Sequence, residues 1–227
     1  MEMLDPQFMS ALLAIVVIDL ALAGDNAIVI ALAARNLPAA QRRLAILWGT
    51  VGAIIVRCAM TLAVVWLLGI PGLMAAGGAV LVWIAYKLAQ PQAEAGSHAV
   101  RAAAGFWGAM QTIVIADAAM GLDNVLAVAG AAHGSFALVV TGLVISIPIV
   151  IWGSTMILKW VERYPWIVHI GVAVLAWTAA KMITGEPALA GFFAARPAAS
   201  IAVYAAVIGG VMGAGLLASR RRAAAAA

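Results

Sequence analysis

Apolar segments of about the length that crosses a bilayer follow one another along nearly the whole chain of 227 residues. A transmembrane helix needs roughly 20 apolar residues, and too little sequence remains between these segments for a separate soluble domain. They cover about residues 8–34, 44–68, 73–88, 105–132, 136–158, 166–183 and 198–218. We therefore predict an all-α, polytopic membrane protein with seven transmembrane helices in a single transmembrane domain, residues 1–227.

The composition agrees with this class: 66% of the residues are hydrophobic, 10% are charged and the mean hydropathy is +1.10. Soluble domains carry far more charge, so a soluble metalloenzyme is excluded. We find no nucleophile–base arrangement and no phosphate-binding loop, and we expect neither an enzyme nor a catalytic residue. The single cysteine, Cys58, cannot form an intrachain disulfide.

The basic residues predict the orientation of the chain in the membrane, because short cytoplasmic loops are enriched in lysine and arginine. With the N-terminus outside, only Lys181 and Arg196 fall outside, and Arg57 falls within a helix. The inside loops and tail hold the others: Arg35, Arg42, Arg43, Lys87, Arg101, Lys159, Arg163, Arg220, Arg221 and Arg222. We predict N-terminus out and C-terminus in, and we read the net charge of +4 as a topology signal without nucleic-acid binding.

A polar triplet, Asp-x5-Asp-Asn, interrupts the first and fourth apolar segments at the same internal spacing. The residues are Asp19, Asp25 and Asn26 in the first copy and Asp117, Asp123 and Asn124 in the second. A carboxylate in hydrocarbon costs several kcal/mol, so such residues normally face an interior site or pathway. The duplicated triplet therefore marks the candidate site.

The similarity extends beyond the triplet, because Gly77–Lys87 of the third segment matches Gly171–Lys181 of the sixth. The second and fifth segments match thinly, through Gly49 and Gly142. We predict two three-helix repeats, about residues 8–88 and 105–183, joined by a linker over 89–104 and followed by a seventh helix at about 198–218. Because three is odd, the second repeat is inverted, and such repeats commonly meet at a midplane binding site.

Four carboxylates and two amides offer only oxygen ligands, which suit Mg²⁺, Ca²⁺ or Mn²⁺. Six residues along a regular helix turn Asp25 about 120° from Asp19 and move it ~9 Å along the axis. Either the helices unwind near Gly24 and Gly121, which we favour, or the two aspartates serve successive positions on a path. The asparagines could instead be interhelical hydrogen-bonding groups. Arg57 is expected to pair with an aspartate, as a structural counter-ion or as a gate.

These features, the paired triplets, Arg57 and the segments ending at Lys87 and Lys181, resemble the TerC family of integral membrane proteins, in the compact form of its YjbE-like branch. The family belongs with the LysE-type exporters and is associated with Mn²⁺ export. The resemblance implies a metal site formed by Asp19, Asp25, Asn26, Asp117, Asp123 and Asn124. One departure is that Gly24 precedes the first Asp-Asn pair, whereas Leu122 precedes the second.

We therefore expect a multi-pass exporter of a divalent cation in the bacterial inner membrane, with Mn²⁺ as the favoured substrate and Ca²⁺ and Mg²⁺ as alternatives. Exchange of the metal for protons is a hypothesis that the charge of the site suggests. Two other functions stay open: a LysE-like exporter of small organic solutes, and a membrane factor for the metallation of secreted proteins. The oligomeric state stays open as well, a homo-oligomer included.

Overall fold

The computed structural model describes residues 6–63, 66–67, 70–90, 98–132 and 135–225, and the elements within these ranges are all helical. We number the α-helices in chain order, with a short 3₁₀ turn at Pro187–Leu189 between the sixth and the seventh. They are α1 Pro6–Ala34, α2 Ala39–Leu62, α3 Leu73–Ala89, α4 His98–Ala131, α5 Phe136–Arg163, α6 Ile167–Thr184, α7 Ala190–Ala195 and α8 Pro197–Ala225. The all-α prediction is confirmed for this part of the chain.

Several of these helices are long and apolar enough to cross a membrane. Four pass on length and hydropathy, namely Ala39–Leu62, Phe136–Arg163, Ile167–Thr184 and Pro197–Arg220. The two limbs of α1 make a fifth span if they are counted together, while α3 is apolar but has only 17 residues. Four to five of the seven predicted spans are thus supported within the described residues.

Several predicted boundaries differ from the observed ones. Helix α2 starts at Ala39, directly after Pro38, and ends at Leu62, whereas the apolar pattern placed it at about 44–68. Helix α4 starts at His98, so the last part of the predicted linker 89–104 is helical. Hydropathy indicates where a chain enters hydrocarbon. Helical backbone continues beyond that level wherever good helix formers follow, as the alanines at 102–104 do.

The predicted helix breaks are only partly present. The α1 axis turns by 49° between Phe8–Asp19 and Gly24–Ala34, although the backbone stays helical from Pro6 to Ala34. Helix α4 is assigned without interruption through Gly121, so the predicted unwinding there is wrong. A glycine within a helix costs only about 1 kcal/mol relative to alanine, whereas each backbone group left unbonded in hydrocarbon costs several.

Helix packing places the two acid-bearing helices, α1 and α4, at the centre. Helix α1 packs against α5 and α4, α2 packs against α4, and α3 packs against α6. Helix α8 lies against α6 and α3 and is the least buried of the candidate spans. The largest buried cluster joins α1, α3, α4 and α6 and includes Leu32, Leu81, Ala116 and Leu175.

Polar contacts fix the two ends of the bundle. At one end Arg35 Nη2 donates to the carbonyl of Leu88 over 2.9 Å, and Arg42 pairs with Glu162. These bonds bring together the end of α1, the start of α2, and the ends of α3 and α5. At the other end, Glu186 accepts N–H groups from Gly72 at 2.9 Å and Ala75 at 3.2 Å, which ties the segment after α6 to the start of α3.

Candidate functional site

Arg57 of α2 lies between the first aspartates of the two triplets. Its Nη1 donates to Oδ1 of Asp19 on α1, and its Nη2 donates to Oδ1 of Asp117 on α4. The expected pairing with an aspartate is therefore present twice, since one guanidinium bonds two carboxylates. These two aspartates occupy the same position in the two copies of the triplet, so the structure brings equivalent residues together.

This group is nearly inaccessible to solvent. The exposed fraction of the side chain is 5% for both Arg57 and Asp19, and 12% for Asp117. Removing one member of a buried ion pair leaves an uncompensated charge, which typically costs 3–5 kcal/mol, so each member depends on the others. Two carboxylates and one guanidinium leave one formal negative charge on the group.

Close helix packing positions Arg57. Helix α2 approaches α4 at Gly49, where a Cβ would lie 2.8 Å from Cδ1 of Ile113. Further along, a Cβ at Gly121 would lie 4.0 Å from Nε of Arg57, so the guanidinium rests beside the backbone of α4. That Nε atom is buried and has no acceptor among the described residues.

Asp25 and Asn26 form a second group, six and seven residues after Asp19 on α1. Asp25 Oδ1 accepts the backbone N–H of Asn26 at 3.0 Å, and Asp25 Oδ2 accepts the hydroxyl of Thr178 on α6 at 3.5 Å. The described ion pairs of Arg57 reach Asp19 and Asp117 and not Asp25. Among the described contacts, the Asp25 carboxylate is therefore not bonded to a cationic side chain.

The two asparagines are buried in their helices. Asn26 is 5% exposed, and its Oδ1 finds no donor within the described part of the chain. Asn124 of α4 is 8% exposed. Buried polar atoms in proteins are almost always bonded, so an unpartnered amide oxygen is a candidate ligand atom. The backbone of Asp123 lies in α4, but its side chain lies outside the described residues.

Four of the six predicted ligands fall into two separate groups. Asp19 meets Asp117 through Arg57, and Asp25 lies with Asn26. Among the side chains that the structure describes, no three of His, Cys, Asp or Glu are close enough to hold one metal ion. A metal site formed by all six residues stays a prediction. Asp123 of the second triplet is one of these ligands, and its side chain lies outside the described residues.

A cavity of about 340 Å³ lies beside this region, toward the end of the bundle where Glu186 bonds to α3. Met60 and Leu122 line it, and Cε of Met60 lies 3.9 Å from the Cβ position of Gly121, next to Arg57. Its lining is otherwise apolar apart from Glu186. Because apolar side chains supply no ligands, the cavity is unsuited to hold a cation by itself.

Two residues of this region were not predicted. Thr178 carries a usable signal, since in the matched segments Gly77–Lys87 and Gly171–Lys181 its counterpart is Ile84. The two matched segments therefore differ in polarity at this position, which lies one turn before Lys181. Glu186 lies in a short connection with glycine and proline and has no such signal.

Comparison with known proteins identifies a family of integral membrane proteins. The family model described as "Integral membrane protein TerC family" matches residues 4–223. The chain is 44% identical over 191 residues to the uncharacterized membrane protein YjbE of Bacillus subtilis (strain 168), which covers 84% of this chain and 87% of YjbE.

More distant relatives follow. The uncharacterized membrane protein YkoY of the same organism is 23% identical, over 75% of this chain and 58% of YkoY. The inner membrane protein YgdQ of Escherichia coli (strain K12) is 25% identical, over 75% of this chain and 78% of YgdQ. No solved structure matches the chain. On the family model and on its similarity to YjbE, this multi-pass membrane protein belongs to the integral membrane protein TerC family.

Proposed function

We propose that this protein exports a divalent metal cation, with Mn²⁺ as the favoured substrate, across the bacterial inner membrane. The observation that carries the proposal is the burial of paired aspartates between α1 and α4 with a single arginine to neutralise them. A purely structural arrangement would balance its charges, because unbalanced charge in hydrocarbon is costly. Among the described ion pairs two buried aspartates share one arginine, and a cation would supply the missing positive charge.

The charge and chemistry of the site favour this class of substrate. With Arg57 and four ionised aspartates the formal charge is −3, and one divalent ion reduces it to −1. Protons can balance the remainder, which supports exchange of metal against protons. The candidate ligand atoms are carboxylate, amide and hydroxyl oxygens, which hard divalent cations prefer over the thiolates that soft metals select.

An inverted repeat is supported by the contacts between helices. Exchanging α1, α2 and α3 for α4, α5 and α6 turns the α1–α5 contact into the α4–α2 contact and leaves α1–α4 and α3–α6 unchanged. The closest contacts follow the same rule. A Cβ at Gly142 would lie 2.5 Å from Cγ2 of Ile15, and a Cβ at the matched Gly49 would lie 2.8 Å from Cδ1 of the matched Ile113.

We propose that these two repeats rock against each other, so that the acids between α1 and α4 face the two sides in turn. Such alternating exposure around a fixed midplane site is the usual mode of inverted-repeat transporters. The bend of α1 between Asp19 and Gly24 turns the Gly24–Ala34 limb, which carries Asp25, away from the axis of the Phe8–Asp19 limb. The outward direction of transport rests on the family resemblance.

Purified protein in liposomes tests the proposal. We expect saturable Mn²⁺ flux, and we expect Asp25→Asn and Asp123→Asn each to lower the flux at least about tenfold, equivalent to ~1.4 kcal/mol of lost interaction. Glu162→Gln is the matched control, since Glu162 is half exposed and pairs with Arg42 at the bundle end. Unchanged flux in both aspartate variants would falsify the proposal.

The same liposomes separate the alternatives. Flux of small organic solutes without Mn²⁺ flux would favour a LysE-like solute exporter. Specific Mn²⁺ binding without any flux would favour a membrane factor that hands metal to secreted proteins.

A further inference from the structure

We infer that the hydroxyl of Thr178 is a ligand of the transported cation together with the carboxylate of Asp25, and that it helps to set which cation is accepted. This inference rests on the proposed function and deepens it. It adds a residue from α6, a helix outside the duplicated triplets, and it makes the two halves of the site chemically different.

The direction of the Thr178 hydroxyl is unusual among the described hydroxyls of the spans. Threonine in a helix normally bonds a carbonyl one turn back. Thr61, Thr112, Thr155 and Thr184 do so, at 2.7–2.9 Å. The described bond of Thr178 instead crosses from α6 to α1 and ends on Asp25 Oδ2 at 3.5 Å.

The length of this contact is informative. At 3.5 Å it lies well beyond the usual distance of about 2.7–2.8 Å for a hydroxyl–oxygen bond. Two neighbouring oxygens on one octahedral ion are separated by about 1.4 times the metal–oxygen distance, about 2.9 Å for Mg²⁺ and about 3.5 Å for a Ca²⁺-sized ion. The contact is therefore a loose one, and the oxygens of Thr178 and Asp25 lie close enough for one cation to contact both.

Charge and partner atoms favour the same place. Asp19 and Asp117 are already bonded to Arg57, so the carboxylate of Asp25 is the described acid best able to bind a second cation. The adjoining Asn26 keeps a buried Oδ1 that has no donor within the described residues. The Gly24–Ala34 limb of α1 thus carries a carboxylate and an amide oxygen, and the hydroxyl of Thr178 faces it from α6. These three oxygens are the kind of ligands that a hard divalent ion prefers.

The repeat gives an internal comparison. The position matched to Thr178 in the first repeat is Ile84, which is fully buried in the core and offers no ligand atom. The second triplet therefore lacks this hydroxyl, and selectivity is set mainly on the side of the first triplet.

Three substitutions at Thr178 test this in the full chain, by Mn²⁺ binding and by Mn²⁺ and Cd²⁺ flux in liposomes. Thr178→Val keeps the shape and removes the oxygen, and we expect about tenfold weaker Mn²⁺ binding. Thr178→Ser keeps the hydroxyl and should bind as the wild type does. Thr178→Cys replaces a hard ligand with a soft one and should raise the Cd²⁺/Mn²⁺ flux ratio about tenfold.

Thr184→Val and Thr184→Cys are the matched controls, since Thr184 lies on the same helix and bonds only carbonyls of that helix in the contacts described. Both should leave affinity and the Cd²⁺/Mn²⁺ ratio unchanged. If Thr178→Val does not fold, the selectivity of Thr178→Cys decides, because a merely structural threonine would not change the preference between two metals.

The outcomes separate the two proposals. Wild-type Mn²⁺ affinity and selectivity in Thr178→Val and Thr178→Cys, with flux still lost in Asp25→Asn, would overturn the role of Thr178 and leave the proposed function standing. Absence of both Mn²⁺ binding and flux in the wild type would overturn the proposed function itself.

Discussion

Arg57 holds three helices together through one side chain. Its guanidinium reaches from α2 to Asp19 on α1 and to Asp117 on α4, with Arg57 and Asp19 buried and Asp117 12% exposed. Without it, two carboxylates with little exposure to solvent would lose their shared counter-charge. We therefore expect Arg57 to contribute to the stability of the protein.

Replacing Arg57 with methionine should destabilise the protein by about 3–5 kcal/mol, because the two carboxylates lose their shared counter-charge. We expect a lower thermal midpoint in detergent, and a partial recovery when Asp19→Asn and Asp117→Asn are added. Arg42→Met is the control, since its partner Glu162 is half exposed and such surface pairs contribute about 0–1 kcal/mol. Equal midpoints for Arg57→Met and Arg42→Met would contradict this role.

Single residues were predictable where the sequence repeats itself. The spacing of the two triplets identified Asp19 and Asp117 as equivalent, and burial cost alone predicted that Arg57 pairs with an acid. Neither argument could say that one arginine bonds both, because that depends on the angle between α1, α2 and α4. Thr178 needed the three-dimensional contact with Asp25, although the mismatch with Ile84 marks its position.

Individual helices show where local sequence and packing disagree. Gly24 and Gly121 occupy nearly matching places, yet α1 bends before Gly24 whereas α4 is helical throughout. The neighbouring residue differs, because Asp25 follows a glycine and Asp123 follows Leu122. Leu122 packs against Gly77 of α3, where a Cβ would lie 3.1 Å from its Cδ1, so α4 has a tertiary contact at this point.

The start of α3 depends on a carboxylate from another part of the chain. The N–H groups of Gly72, Ala75 and Ala188 donate to Glu186 and hold the pKa of its carboxyl below its ordinary value. These bonds satisfy donors that a helix start leaves open, and Gly72 can lead into the helix because its φ is +83°, a conformation that glycine adopts without strain.

A depressed native pKa gives a defined pH dependence. Glu186 stabilises the fold fully above its unfolded pKa of about 4.3, and this contribution is lost as the pH falls through the lower native value. We expect Glu186→Gln to lower the thermal midpoint at about pH 7 and to differ less from the wild type below about pH 4. A gap between the two midpoints that stays constant over this range would contradict the assignment.

At the scale of the whole molecule, the bundle has one basic end. Arg35 and Arg42 make their contacts there, and α3 and α5 end there with Lys87 and Arg163. Residues 186–188 and the start of α3 lie at the other end. We expect the basic end to face the cytoplasm.

Reporter fusions test this orientation. Green fluorescent protein fused after Ala227 should fluoresce, since it folds in the cytoplasm, and alkaline phosphatase inserted after Gly185 should be active, since it requires the outer side. The reverse pattern would invert the predicted topology. A charge-reduced variant, with Arg220, Arg221 and Arg222 replaced by serine, shows how far the C-terminal arginines alone determine it.

The fold class and the approximate positions of the helices could be predicted because hydrocarbon imposes a length and a composition on each span. The exact helix ends, such as Ala39 and His98, could not be predicted, because the membrane constrains only the apolar middle of a helix. Neighbour relations such as α1 beside α5 depend on which surfaces fit. The sequence shows the small residues at these contacts but does not show which helix packs against each of them.

The contacts of Ile15 with Gly142 and of Ile113 with Gly49 carry a consequence for the evolution of this chain. A larger residue at either glycine would collide with an isoleucine on another helix, and a shorter side chain in place of that isoleucine would relieve the collision. Substitutions in relatives should therefore occur in pairs, 15 with 142 and 113 with 49. The two pairs share no residue, so each can change independently of the other.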